Sequence, residues 1–282
     1  MVSAAAARVV PGGGYVAAPA SLPASPPTST RPAPSRTPGP RYTVGPARDV
    51  GEVRAAQRLR HLVFAEEMGA ELHSLEPGLD VDAFDAHCDH LVVREEISGA
   101  VVGTYRLLPP DRARAAGGLY AAGEFALGNH AELHADLVEV GRSCVHPDHR
   151  EGAVIGLMWA GIARYLVASG HNWLAGCCSV PLDDGGLLAA DVADAARRKY
   201  AAPEEYRVRP YRPWTPPAAA DDAGRSRLAL PPLLRGYLRL GAWVCGEPAY
   251  DEDFGVADFY ILLSLRRTDP RYLRRFLALE SA

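Results

Sequence analysis

The chain of 282 residues is almost without lysine, with Lys199 alone against 29 arginines, a skew that reads as genome composition rather than chemistry. No apolar run approaches the roughly 20 residues that a membrane-spanning helix needs, which excludes an integral helical membrane protein. The opening MVSAAAARVVPGGG has neither a charged leading segment nor a continuous apolar stretch, which argues against a secretory signal. The five cysteines (Cys88, Cys144, Cys177, Cys178, Cys245) are odd in number and lack CxxC spacing. Reduced, mostly buried thiols in a cytoplasmic protein are therefore expected. Neither His130 with His134 nor the run His87-Cys88-Asp89-His90 has zinc-site spacing, so no metal is expected.

Acidic residues are missing from the first 48 positions, which hold ten of the 24 prolines and five arginines. Such a segment cannot bury enough apolar surface to offset its ordering entropy, so residues 1–40 are expected to form a disordered tail. The remaining 41–282 are expected to form one domain. Without the tail the body carries 25 basic against 34 acidic residues, which argues against nucleic acid as a partner.

Periodicity supplies the elements. RYTV near Arg41 reads as a strand, and Asp49 can cap a helix running to about Met68. CDHLVVREE and AVVGTYRLLPP read as a hairpin turning at Ser98-Gly99. Leu137 to Val145 is the next strand, followed from Glu151 by a strongly periodic helix. NWLAGCCSV is a buried strand, Asp184 to Lys199 a helix, and a proline-rich loop spans about 209–230. A short helix at LLRGYLRL, strands at AWVCG and VADFYILLSL, and an amphipathic helix from Pro270 close the chain. That order implies an α/β (α+β) fold with a mixed sheet flanked by helices.

One strand departs from alternation. Glu139 and Arg142 are three apart and should face opposite sides of a regular strand. Gly141 between them readily permits a β-bulge, which would turn both toward one cleft and free backbone N–H groups for an oxyanion. A salt-bridged Glu139–Arg142 pair is the plain alternative. Beyond the strand, HPDHREGAV delivers the chain to a helix start whose free N–H groups suit a phosphate. The turn is not a P-loop, since no GKS/T follows.

The strand, V-H-P-D-x-R turn and helix resemble the acyl-CoA binding core of the GNAT acyltransferase superfamily. The turn departs from the usual (Q/R)xxGx(G/A), because Arg150 is followed by Glu151-Gly152-Ala153-Val154-Ile155. That departure suits a donor presenting a single phosphopantetheine phosphate. A narrower resemblance covers nearly all of the body. R-x-x-V-F from Arg60, D-x-F-D from Asp82, C-D-H-L-V-V from Cys88, G-T-Y-R-L-L from Gly103 and G-E-F from Gly123 resemble the ornithine Nα-acyltransferases. So do E-V-G-R-S-C-V-H-P from Glu139, G-C-C-S-V-P from Gly176 and the stretch from Pro231 to Tyr260. Arg60, Phe64, Asp82, Asp85, Arg106, Glu139 and Arg142 also resemble the pattern of acyl-homoserine lactone synthases.

The resemblance implies a GNAT-like, mostly antiparallel central sheet whose splayed strands form the acyl-donor cleft. It implies transfer of a 3-hydroxyacyl chain from acyl carrier protein, as the phosphopantetheine thioester, to the α-amine of L-ornithine. Acyl-CoA is the alternative donor, and no permanently bound cofactor is implied. Glu139 is then the candidate base and Arg142 its catalytic partner. Gly141, Ser143, Cys144, Val145, Arg150, Gly152 and Ala153 are candidates for the oxyanion and donor site. Arg60, Phe64, Asp82, Asp85 and Arg106 are candidates for the acceptor site, with the roles of the two aspartates open between holding the distal ammonium and anchoring Arg60. Rival readings are another amine acceptor (glycine, lysine or a polyamine), a homoserine-lactone-type synthase, and a non-catalytic acyl-binding module. Tyr272, Leu273, Phe276 and Leu277 beside Arg271, Arg274 and Arg275 fit either a core-packed last helix or peripheral contact with the inner face of the cell membrane.

Overall fold

A computed structural model describes residues 41–150, 152–216 and 230–279. The expected tail, most of the proline-rich loop and Glu151 lie outside these residues.

Strand β1 (Tyr42–Pro46) leads to helix α1 (Val50–His61), whose first turn is capped by the Asp49 carboxylate accepting the Glu52 N–H at 2.9 Å. The helix expected to reach Met68 does so in altered form, because Leu62–Glu67 winds as a π-helical turn. Such widened turns re-aim side chains. This one points Phe64 inward and leaves Glu67 on the surface. The hairpin is β2 (Asp89–Glu95) and β3 (Val101–Leu108), with Gly99 supplying a left-handed turn residue at φ 69°.

After α2 (Pro110–Ala115) and the short β4 (Phe125–Ala126) comes β5 (Leu137–Val145), then α3 (Ala153–Ser169) and β6 (Trp173–Pro181). The helix expected from Asp184 begins as α4 (Leu187–Ala195). The Asp184 carboxylate accepts the N–H groups of Gly186, Leu187 and Leu188 and so acts as the cap. The two-residue β7 (Arg209–Pro210) pairs with β4. Helix α5 (Pro232–Arg239), β8 (Trp243–Val244), β9 (Ala249–Asp251), β10 (Val256–Ser264) and α6 (Pro270–Leu277) complete the order.

The main sheet runs β1-β2-β3-β5-β6-β10-β8, with β9 also on β10. All its pairs are antiparallel except β5 with β6, which run parallel. Alternation sorts the side chains into two layers. Val93, Tyr105, Val140, Cys178 and Phe259 pack with α3, α4 and α5 on one face. Leu108, Leu137, Ala175 and Tyr260 pack with the 113–127 segment on the other, beside a smaller cluster joining α1 to Cys144. Helix α3 is apolar on nearly all sides, as befits a helix enclosed between the sheet and α6.

The parallel pair sets up the cleft. Strands β5 and β6 are in register only from Leu137–Trp173 to Glu139–Ala175, and beyond that they separate. At the point of separation Gly176 lies so close to β5 that an added Cβ would sit 2.1 Å from the Val140 carbonyl oxygen. Here glycine is required by space, not by conformation.

Candidate active site

The site is built from the irregularity in β5. Gly103 and Thr104 pair with Val145 and Cys144, whereas Arg106, Leu107 and Leu108 pair with Gly141, Val140 and Glu139, a register one residue different. Arg142 and Ser143 therefore oppose the single residue Tyr105, which makes a β-bulge. The conformational break expected at Gly141 falls on its neighbour. Arg142 has φ 51° and is the one non-glycine residue with positive φ among the described residues. A side-chain-bearing residue held there costs on the order of 1–3 kcal/mol, an expense usually met at functional positions. The bulge brings Arg142 round to the face that carries Glu139, and both line one cavity of about 220 Å³.

Glu139 and Arg142 do not pair with each other. The Glu139 carboxylate accepts the backbone N–H groups of Tyr120 and Ala121 at 2.5 and 2.8 Å, in the turn preceding β4. Burial pushes its pKa up to about 7, against the pull of those two N–H groups and of Arg106. Arg142 lies over the rings of Tyr120 and Phe254, 5.1 and 4.9 Å from their centroids. Its guanidinium meets Asp80 at 3.3 Å and Asp82 at 3.6 Å.

The two arginines named for the acceptor site hold the loop between α1 and β2. Arg60 is wholly buried and forks onto Asp85 with two 2.8 Å bonds, while its Nε meets Asp80 at 2.9 Å. Arg106 bonds Asp82 at 2.6 Å and lies against Phe84 and Tyr120. Burial pushes the Asp85 carboxyl up, but the hydrogen bonds and charge of Arg60, with the charge of Arg106, outweigh it and hold it below its ordinary value. Asp82 and Asp85 thus anchor arginines: Asp82 holds Arg106, and Asp85 holds Arg60. Phe64 reaches the cavity and meets Phe254 edge-on at 5.7 Å.

The remaining candidates divide. Gly141 and Ser143 line the cavity. Cys144 points instead into the α1 cluster, where burial pushes its thiol up to about 12. The Val145 carbonyl accepts from Arg150 Nε at 3.1 Å, and the Arg150 fork is taken by Glu67 at 2.6 and 2.7 Å, outside the cavity. Gly152 caps α3 in the left-handed region at φ 96°, with Ala153 as the first helical residue. All five cysteines are free thiols.

The cavity crosses the sheet through the gap between β5 and β6. Tyr105, Val140, Cys178 and Leu233 line its apolar side toward α3 and α5, and Arg106, Glu139 and Arg142 its polar side. That polar wall also holds acids that sequence reading did not single out, namely Glu124, Asp251 and Asp258. A signal was present: Asp258 is an acid inside the apolar run VADFYILLSL, the same anomaly that marked Glu139. Asp80 escaped notice because the loop 69–87 has no periodicity to place it.

A mixed sheet with two parting central strands, a bulged strand bearing a buried carboxylate, and a helix starting beside it define an N-acyltransferase of GNAT type. The family model for the acetyltransferase (GNAT) domain matches residues 59–160. The chain is 37% identical over 246 residues to the L-ornithine N(alpha)-acyltransferase of Rhizobium meliloti (strain 1021), covering 79% of this chain and 80% of that relative. It is 37% identical over 231 residues to the enzyme of the same name from Rhodobacter capsulatus, covering 78% and 88%. On these likenesses the chain belongs to the L-ornithine N(alpha)-acyltransferase family. Among solved structures, a CoA-dependent acyl-homoserine lactone synthase aligns with TM-score 0.49 and 16% identity, covering 83% of this chain and 87% of that one.

Proposed function

We propose that the protein transfers a 3-hydroxyacyl group from acyl carrier protein to the α-amine of L-ornithine, giving lyso-ornithine lipid as the first step of ornithine lipid formation. The observation that carries this is Glu139: a buried carboxylate, raised to about 7, at the throat of a cleft with one apolar and one polar side.

The chemistry follows from these groups. The α-ammonium of the acceptor gives a proton to Glu139. The freed nitrogen lone pair attacks the thioester carbonyl, whose developing oxyanion is met by backbone N–H groups of the bulge at Gly141–Ser143. The C–N bond forms and the C–S bond breaks. The nitrogen gives up a second proton as it becomes the amide, the departing thiolate takes up that proton to leave as the thiol, and Glu139 returns the first to solvent. Arg142, whose nearest ion-pair contact is 3.3 Å against 2.6 Å for Arg106 and 2.8 Å for Arg60, supplies the cation for the acceptor carboxylate. Arg60 and Arg106 hold the wall behind it. The apolar side of the cleft takes the acyl chain.

The donor is read as carrier-borne because Arg150 is engaged by Glu67 on the surface rather than aimed at a pyrophosphate. Phosphopantetheine needs one phosphate contact, which the left-handed Gly152 entry to α3 suits. No helix among the described residues is long and apolar enough to cross a membrane. On α6, Phe276 stacks on Trp159 while Arg271, Tyr272, Arg274 and Arg275 stay exposed, a face fit for transient contact with an anionic bilayer surface.

The test uses purified protein, 3-hydroxyacyl-acyl carrier protein or the matching acyl-CoA, and ornithine, lysine, glycine and a polyamine in turn, read by mass spectrometry. The expected product is N-acylornithine from the carrier-borne donor. Preference for another amine overturns the acceptor assignment, and preference for acyl-CoA overturns the donor assignment.

A further inference from the structure

The polar wall of the cleft is unbalanced in charge. Among the described residues its carboxylates are Glu124, Glu139, Asp251 and Asp258, against Arg106 and Arg142. Arg106 is held by Asp82, and Arg142 makes only longer contacts, to Asp80 and Asp82. Glu139 is held by two backbone N–H groups, and Asp251 accepts the Phe254 N–H at 3.1 Å. Among the described residues neither Glu124 nor Asp258 is in an ion pair, although the charge of Arg142 still reaches Asp258. They sit on different elements: Asp258 is the third residue of β10, paired with Ser179 of β6, and Glu124 comes from the turn before β4. With the Cys177 thiol their polar atoms converge within 4.8 Å of one another.

Asp258 is only 3% exposed, lines the cavity, and has an Oδ1 with no hydrogen-bond partner. An orphaned buried carboxylate oxygen is costly to keep unless a ligand satisfies it. We propose that Glu124 and Asp258 form the pocket for a primary ammonium at the far end of the acceptor side chain, so that the enzyme selects a diamino acid over one with a neutral side chain. This rests on the reading of the cleft as an N-acylation site at Glu139.

The rest of the wall agrees. Burial first, then the charges of Asp258 and Asp251, push Glu124 up, and burial with Asp251 pushes Asp258 up, so the empty pair holds a proton between them. An arriving ammonium restores both as carboxylates and supplies the donor that Oδ1 lacks. Cys177 lies 3.9 Å from Glu124, with its own pKa driven well above the thiol value by burial. It forms a neutral wall, which suits an alkylammonium better than a thiolate-bound metal ion. The two functions are thereby separated in space: the α-amine goes to Glu139 and the distal ammonium to Glu124 and Asp258.

The experiment compares L-ornithine with L-norvaline, which has the same carbon chain and no distal amine, in the full-length enzyme and in Asp258→Asn and Glu124→Gln. For the unaltered enzyme kcat/KM for ornithine should exceed that for norvaline by about 10- to 100-fold, the range for a hydrogen-bonded charge pair. Near-equal values overturn the proposal without any variant. In each variant the ratio should collapse toward one, mainly through KM for ornithine. An unchanged ratio, or equal losses on both acceptors, overturns it. Inhibition by Zn²⁺ that vanishes in the Asp258→Asn variant and is competitive with ornithine but absent against norvaline supports a cation pocket here. Metal-dependent turnover abolished by a chelator would overturn it in favour of a metal site. If the unaltered enzyme acylates neither amino acid, the acylation reading itself fails, a result distinct from all of these.

Discussion

Arg142 lines the same cavity as Glu139, three residues away, because the bulge formed by Arg142 and Ser143 breaks the strand's alternation. The left-handed backbone at Arg142 is what this costs. The return is a cavity lined from one strand by both a buried carboxylate and a guanidinium.

Replacing Glu139 by Gln should lower kcat by about 10²- to 10⁴-fold, the usual contribution of a positioned base, while the donor still binds. Rapid-quench assays with a binding titration check this. Unchanged turnover removes Glu139 from the mechanism.

The same residue sets the pH profile. The base is the ionised form, so kcat/KM should rise with pH through about 7 as one proton leaves the free enzyme. Stability should move oppositely. A carboxyl whose folded pKa is raised above its unfolded value makes the native state bind more protons between the two. Its contribution is fully present below the unfolded value and is lost as pH rises through about 7. Urea midpoints of the parent and Glu139→Gln, compared from about pH 5 to about pH 8, should show that loss in the parent alone.

Arg60→Met should cost about 3–5 kcal/mol of folding stability, because buried Asp80 and Asp85 lose their nearest counter-charge and keep only the longer contacts to Arg142 and Arg106. Equilibrium unfolding in urea checks this. A change within the scatter of surface substitutions would show that the loop does not depend on Arg60.

Arg142→Lys keeps the charge but loses the planar fork over Tyr120 and Phe254. Its efficiency with ornithine should fall about 10- to 100-fold, as expected for a lost charge-assisted hydrogen bond. The preference for ornithine over 1,4-diaminobutane, which lacks the carboxylate, should shrink with it. A retained preference would place the carboxylate contact elsewhere.

Much of this was legible in the sequence, and the reasons differ by element. The hairpin at Gly99, the Asp49 cap, β6 and α3 follow from alternation, capping chemistry and helical spacing, all local signals. The bulge was legible because charged residues interrupted an apolar strand, although the strain settled on Arg142 instead of Gly141. Arg150 illustrates what sequence does not carry. Its partner Glu67 is 83 residues away and is presented by a π-helical turn, an irregularity that has no periodic signature. Asp258 and Glu124 meet because the turn before β4 is fastened to Glu139 of β5, two strands from β10 in the sheet, a long-range arrangement that periodicity does not specify.

Gly176→Ala should destabilise the fold by about 1–3 kcal/mol, the usual range for an overpacked core position. The new methyl group must displace the Val140 carbonyl, and so it should also distort the point where β5 and β6 part. Thermal melts and donor affinity should fall together. A loss of stability with full donor affinity would show that the cleft does not depend on this contact.

The most direct measurement is the position of the new amide when the purified protein acts on L-ornithine and a 3-hydroxyacyl thioester, read by fragmentation of the product. The geometry predicts acylation at the α-amine, with the distal amine left free. Acylation at the distal amine would contradict it, because Glu139 would then be deprotonating the wrong nitrogen.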